Sequence, residues 1–230
     1  MRKIAIFVQS GVHESYIAAV TSALDYFLVI FSINHLFTVQ VLRDWKLLNY
    51  QEGNRLVPFR SINWLLQQGY ETRLLRSDKN LNTGDVLANM ERINFENNFD
   101  RSILVTNYSL NHKISGYNFG TTRKHFCTAV SVVGLHCYNP KFAYEWLYYL
   151  SLHEIGHLFG LISRYNTKTI LGKHCENSDC IMHEFTFLPD DLSSRVRTGY
   201  LAKDLKFCLG CVVETSQMRD ELLSSHRTKI

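Results

Sequence analysis

The sequence predicts an α+β fold: an α/β-like N-terminal part with a mixed twisted sheet and covering helices, then a small C-terminal subdomain. Three observations predict it. Short apolar runs alternate with helix-length runs through the first 140 residues, which argues for a mainly parallel sheet. A long helix with start and stop signals then ends at Gly160. Beyond it regular patterning fades, as expected of a unit held by something other than an apolar core. The expected division is residues 1–160 and 161–230.

Each element follows from its residues. Ile4–Val8 is five apolar residues in a row, the pattern of a fully buried strand. Val12–Ser32 is an apolar-rich helix, and the alternating, β-branched Thr38–Leu42 is a second strand. Ser61–Gln68 and Thr83–Ile93 read as helices, and Ile103–Thr106 as a short strand. Tyr117–Thr122 and Phe126–Val133 are two further strands separated by the polar turn Thr122-Arg123-Lys124. Asn139-Pro140 starts the long helix, with Asn as N-cap and Pro at the first helical position, and Gly160 closes it.

Composition narrows the function classes. With 230 residues the chain is one domain, or one with a small appendage. A 46% hydrophobic share with 12 Gly and 3 Pro excludes collagen-like, low-complexity and disordered classes. The net charge of +4 is too mild and too scattered for a nucleic-acid or membrane-surface footprint. The apolar run after Met1-Arg2-Lys3 is too short for a signal peptide. Tyr16–Phe37 is broken by Thr21, Asp25, Asn34 and His35, so it is no membrane span. The expected location is the cytoplasm, where clustered cysteines more often bind metal than pair as disulfides.

The long helix contains His153-Glu154-Ile155-Gly156-His157. Histidines four apart project from one helix face, so both imidazoles can reach a single Zn²⁺. Glu154 lies between them, placed to act as general base. Tyr149, Trp146 and Phe142 continue this face backwards as core that anchors the helix. Catalytic zinc sites usually have three protein ligands. Three residues after Gly160 stands Ser163, a poor ligand; the next histidine is His174, after the 11 residues Ser163–Lys173. His183 and Glu184 are the other candidates for the third ligand. Cys175 and Cys180 follow His174, and Cys208 and Cys211 come later, two ligands from each of two segments for a Cys₄ zinc site. Two disulfides, or idle thiols, are the alternative. Cys127 and Cys137 fall outside the pattern and read as small buried hydrophobes.

At these residues the sequence resembles the archaemetzincin family of zinc metallopeptidases. That family combines H-E-x-x-H-x-x-G, a third His fused to cysteine as H-C-x-x-x-x-C-x-M, and a later C-x-x-C. The matching positions are His153, Glu154, His157 and Gly160, then His174, Cys175, Cys180 and Met182, then Cys208 and Cys211. Ile103–Thr106, Asn118–Gly120 and Val130–Ser131 look like the family's third, edge and fourth strands, and the resemblance spans roughly residues 1–215. The chain departs from the pattern in the insertion before His174 and in a long interval from Met182 to Cys208.

The resemblance implies a zincin-like fold, two Zn²⁺ ions (one catalytic, one structural), and Met182 as an apolar floor beneath the catalytic metal. It implies a peptidase acting on peptide or protein substrates; an extended substrate can pair with the edge strand around Tyr117–Thr121, as extended peptides do when they add to a sheet. The insertion carries Arg164, Lys168 and Lys173 and no acid; it reads as a solvated loop or as a basic overhang favouring acidic groups of a substrate. A different class stays open: a non-enzymatic zinc-stabilised module binding protein or nucleic acid, with a vestigial helix site. Glu154 argues against it, because a purely structural site needs no base.

Overall fold

In the computed structural model Ile4–Val8 lies in the middle of the sheet, as its unbroken apolar run requires. The structure describes residues 1–9, 11–43, 48–52, 55–59, 75–77, 80–112, 116–118, 120–123, 126–161, 168–169, 172–175, 177, 179–183 and 207–227. The expected helix at 61–68, residues 163–167 and 170–171 of the insertion, and Glu184 lie outside them.

In chain order the strands are β1 (Arg2–Val8), β2 (Phe37–Leu42), β3 (Leu48–Glu52), β4 (Arg55–Phe59), β5 (Leu75–Ser77), β6 (Asn80–Asn82) and β7 (Arg101–Thr106). There follow β8 (Ser109–His112), β9 (Gly116–Asn118), β10 (Gly120–Arg123), β11 (Cys127–Ser131), β12 (Lys168–Thr169) and β13 (Gly172–Lys173). The helices are α1 (Glu14–Ile30), α2 (Thr83–Asn97), α3 (Pro140–Leu158) and α4 (Leu209–Arg227).

The main sheet has the order β10-β11-β7-β1-β2. β2, β1, β7 and β11 are parallel, and β10 closes one edge antiparallel to β11. Because side chains alternate across a strand, β1 feeds two cores. Ile4, Ile6 and Val8 pack with α1 and α3, whereas Ala5 and Phe7 pack with Val86, Leu87, Met90 and Ile93 of α2. A second sheet, β5-β6-β8-β9, and the hairpins β3-β4 and β12-β13 are separate. Among the described residues no helix is long and apolar enough to cross a membrane.

The stretch expected as one strand over Tyr117–Thr122 divides: Gly116–Asn118 pairs with β8, and Gly120–Arg123 pairs with β11. Thr122 and Arg123 belong to that strand and not to a turn.

α3 begins as its sequence predicts. The Asn139 side chain accepts a hydrogen bond from Lys141 N at 2.9 Å, and Pro140 stands where no donor is needed. At its end Gly160 takes φ +86°, and Leu161 N donates to Gly156 O at 2.8 Å, turning the chain sharply. Phe159 in this turn packs on Phe27 and Phe37, and the buried Arg101 guanidinium lies 4.5 Å from its ring centroid. The ligand-bearing end of α3 is therefore anchored from two sides.

The C-terminal part contains a helix that the sequence reading does not foresee. Residues 209–227 form a 19-residue helix whose buried stripe is Cys211, Thr215, Met218 and Leu222. That spacing is helical, but two of its four positions are Cys and Thr, which hides the apolar period from a sequence reading. Phe207 packs on Phe27 and Phe31 of the α1 region, so the described C-terminal residues share the core of the main sheet.

Candidate metal centre

The C-terminal half of α3 is buried, and it presents His153 and His157 one turn apart with their Nε2 atoms 3.1 Å from each other. His174 arrives from beyond the insertion; its ring stacks on His153 at 5.3 Å and meets His157 edge-on at 5.2 Å. One ligand atom from each of the three lies within 4.8 Å of the others. His174 thus reaches the other two across the inserted residues. His183 does not join them: its Nδ1–H donates to Cys175 O at 2.8 Å.

The donor chemistry fits a cation. His153 Nδ1–H donates to Ile181 O at 2.7 Å, which leaves the Nε2 lone pair facing inward. His157 is bonded in turn to the backbone of Leu161. The two facing Nε2 atoms, 3.1 Å apart, can share one proton or close together on one cation. A tetrahedral zinc with Zn–N of about 2.0–2.1 Å sets nitrogens about 3.3 Å apart, close to the observed separation. Burial pushes His157 down to about 3, aided by His174, and His153 well below its ordinary range. The imidazoles stay neutral, as ligands must.

Glu154 is 4% exposed and turns toward the edge strand β10. Thr122 Oγ1 hydrogen-bonds Glu154 Oε2, and the carboxylate sits over Gly120, where a Cβ would come 2.5 Å from Oε1. Burial raises the Glu154 carboxyl to about 7, against the opposing pull of the Thr122 hydroxyl. That value suits a general base at neutral pH. The sequence reading found Glu154 but not Thr122 or Gly120, because nothing in their spacing from α3 marks the contact.

Met182 is buried against α3 directly opposite Gly156, where a Cβ would overlap the methionine sulfur and lie 3.0 Å from Cε. The middle glycine of the helix motif is what lets this methionine approach.

A second group forms beside the first. Cys175, Cys180, Cys208 and Cys211 lie with their sulfurs within 4.8 Å of one another. Cys175 and Cys208 sulfurs are 3.5 Å apart, and those of Cys180 and Cys211 3.6 Å, far beyond a disulfide bond. A tetrahedral zinc with Zn–S of about 2.3 Å requires sulfurs about 3.8 Å apart, so the spacing fits a metal and not two disulfides. Cys180 Sγ accepts hydrogen bonds from Met182 N at 3.4 Å and Cys208 N at 3.3 Å. The Cys211 thiol foremost, and then these two N–H groups, pull Cys180 down to about 5 against the upward push of burial, favouring the thiolate that a metal binds. Burial pushes Cys175 up to about 12 in the metal-free protein. Each of the two groups, His₃ and Cys₄, could hold a metal ion. Of the remaining cysteines, Cys127 is buried with its thiol on Leu87 O, but Cys137 is exposed at the end of a 3₁₀ turn, contrary to expectation.

No protein-family model and no curated protein sequence matches the chain. Solved structures do. An archaemetzincin from Methanopyrus kandleri superposes with a TM-score of 0.63 at 16% identity, covering 95% of this chain and 96% of that one. The fold is archaemetzincin-like. The archaemetzincin from Archaeoglobus fulgidus, solved in complex with malonate, matches with a TM-score of 0.54 at 20% identity over 92% of this chain and 98% of that one. At such identities the archaemetzincin likeness is one of fold. The five-stranded mixed sheet, its covering helices and the Cys₄ group near the C-terminus are the features described above for this chain.

Proposed function

We propose that this protein is a zinc-dependent peptidase with His153, His157 and His174 as ligands of a catalytic Zn²⁺ and Glu154 as general base. The observation that carries the reading is the buried Glu154 carboxylate beside three converging imidazoles, in an archaemetzincin-like fold. In this reading Cys175, Cys180, Cys208 and Cys211 hold a structural Zn²⁺. Residues 1–160 supply two ligands and the base; residues 161–230 supply the third ligand, the Met182 floor and the Cys₄ site.

Zinc held by three neutral imidazoles supplies a Lewis acid that activates water and polarises a carbonyl. The chain's own residues do the rest. Glu154 takes a proton from the attacking water and returns it to the leaving amine. Burial of its carboxyl keeps bulk water from this transfer. β10 pairs on one side with β11 and stands at the edge of its sheet, where an extended peptide substrate can add as a further strand. Met182 packs beneath the His-bearing turn and keeps it rigid.

The test is Glu154→Ala, assayed on a peptide library with zinc content measured alongside. The expected variant binds both zinc ions and has lost hydrolysis by about a thousandfold or more. Retained hydrolysis sinks the mechanism. A wild-type protein that binds two zinc ions and cleaves no peptide favours the non-enzymatic module.

A further inference from the structure

We infer that Thr122 is a positioning residue, one that fixes the Glu154 carboxylate in the orientation proton transfer requires; this rests on the peptidase reading above. The inference stands on a hydrogen-bond chain that crosses from sheet to helix. Thr122 and Thr128 face each other in the register of β10 and β11, with their Oγ1 atoms 2.7 Å apart. Thr122 Oγ1 also contacts Glu154 Oε2 and lies 3.2 Å from Glu154 O.

A hydroxyl has a single proton to give. An ionised carboxylate only accepts, so Thr122 donates its proton to Oε2, and the Thr128 hydroxyl donates to Thr122 Oγ1 in turn. The resulting order, Thr128 to Thr122 to Glu154, has one direction of donation. It is charge-assisted at its last link. Thr128 is fully buried, so the chain starts from a rigid point.

Gly120 completes the clamp. Residues two apart on a strand share a face, so Gly120 and Thr122 both face the carboxylate. The absent side chain at Gly120 leaves the space that Glu154 Oε1 and Cγ occupy. One oxygen is held by Thr122, and the proton-accepting role falls to the other, over Gly120. The strand proposed to carry the substrate is thereby the strand that aims the base. An alternative role, in which the hydroxyl merely ties β10 to α3, predicts a loss of stability instead of a loss of turnover.

The experiment compares Thr122→Val, nearly isosteric but without the hydroxyl, with Thr122→Ser, which keeps it. Both are prepared as the full zinc-loaded chain. Turnover, zinc content and melting temperature are measured. So is the carboxyl carbon resonance of Glu154 in protein labelled at the glutamate δ-carbon, assigned by its disappearance in Glu154→Gln and recorded at pH 9. In Thr122→Val the expected result is unchanged zinc content, kcat lower by about 10- to 100-fold, KM within about twofold, and a displaced Glu154 resonance. Thr122→Ser restores kcat to within about threefold and returns the resonance to its wild-type position.

Wild-type kcat in Thr122→Val, or equal losses in both variants, overturns the inference. So does a Thr122→Val protein that fails to fold while Thr122→Ser, folded and zinc-loaded, has a kcat about 10-fold or more below wild type. The resonance separates this inference from the reading beneath it. A displaced signal in Thr122→Val together with a wild type that cleaves no peptide upholds the clamp and refutes the peptidase.

Discussion

Replacing Cys211 with Ser should weaken metal binding at the His₃ group, although Cys211 touches none of its histidines. The link is the segment 174–183. His174 and Cys175 are neighbours in sequence, one in each group. Cys175 N donates to Met182 O at 2.7 Å, His183 Nδ1–H donates to Cys175 O at 2.8 Å, and Ile181 O receives His153 Nδ1–H at 2.7 Å. Cys211, on α4, is what the sulfurs of this segment close upon. Without it the Cys₄ group loses its metal, and the segment must be ordered by its own hydrogen bonds alone. Two bonds at Cys175 are then at risk, each worth about 1 kcal/mol net, or about 2 kcal/mol together. At about 1.4 kcal/mol per decade this lowers the affinity of the His₃ group for zinc roughly 30-fold. Linkage makes the effect reciprocal, so His174→Ala weakens the Cys₄ group by the same factor while leaving it able to bind. The assay is competition for zinc against a chromophoric chelator, resolving two sites in the wild type. A Cys211→Ser protein whose His₃ affinity stays within about threefold of wild type would refute the coupling.

Three further outcomes are expected. In Gly120→Ala the added Cβ falls 2.5 Å from Glu154 Oε1, so the carboxylate is displaced; hydrolysis should drop by about 100-fold with both zinc ions retained, and unchanged turnover would count against the clamp. In Gly156→Ala, helix propensity alone favours alanine by about 1 kcal/mol, whereas overpacking against buried Met182 costs about 1–3 kcal/mol, so overpacking wins. The melting temperature should fall, and Met182→Ala added to it should recover part of the loss; a more stable single variant would contradict the packing. The metal-free protein should lose stability as pH falls from about 6.5 toward 3. His157 is held at about 3 when folded and His153 well below its ordinary range, so the unfolded chain takes up two protons that the native state refuses; folded Glu154, raised to about 7, keeps one proton that the unfolded chain gives up, and the net is stability that rises with pH. In metal-free Glu154→Gln, where the opposing carboxyl is gone, denaturant unfolding that is flat between pH 7 and 5 would show that these imidazoles are not buried neutral.

The sheet and the helix motif were legible because single-residue properties decide them. Ile4–Val8 is apolar on both faces since both faces are covered, and Asn139, Pro140 and Gly160 each fill a position with a backbone reason. The His174-Cys175 fusion was legible because adjacency in sequence places one residue in each group. What stayed hidden depends on contacts between distant segments. Thr122 and Gly120 meet Glu154 only through the antiparallel edge pairing of β10 with β11, which no local pattern encodes. α4 was hidden because its core stripe includes Cys211 and Thr215, the first there for its sulfur and the second for a hydroxyl that donates to Cys211 O. Met182 was read from a motif, but the reason for Gly156 appears only once the sulfur is seen beneath it.

The most direct test titrates zinc into the metal-free protein while peptide cleavage is followed on the same sample, with Glu154→Gln in parallel. The account predicts two equivalents bound, cleavage that appears with the second, and two equivalents without cleavage in the variant. Saturation at one equivalent, or two equivalents bound by a wild type that cleaves nothing, would contradict it.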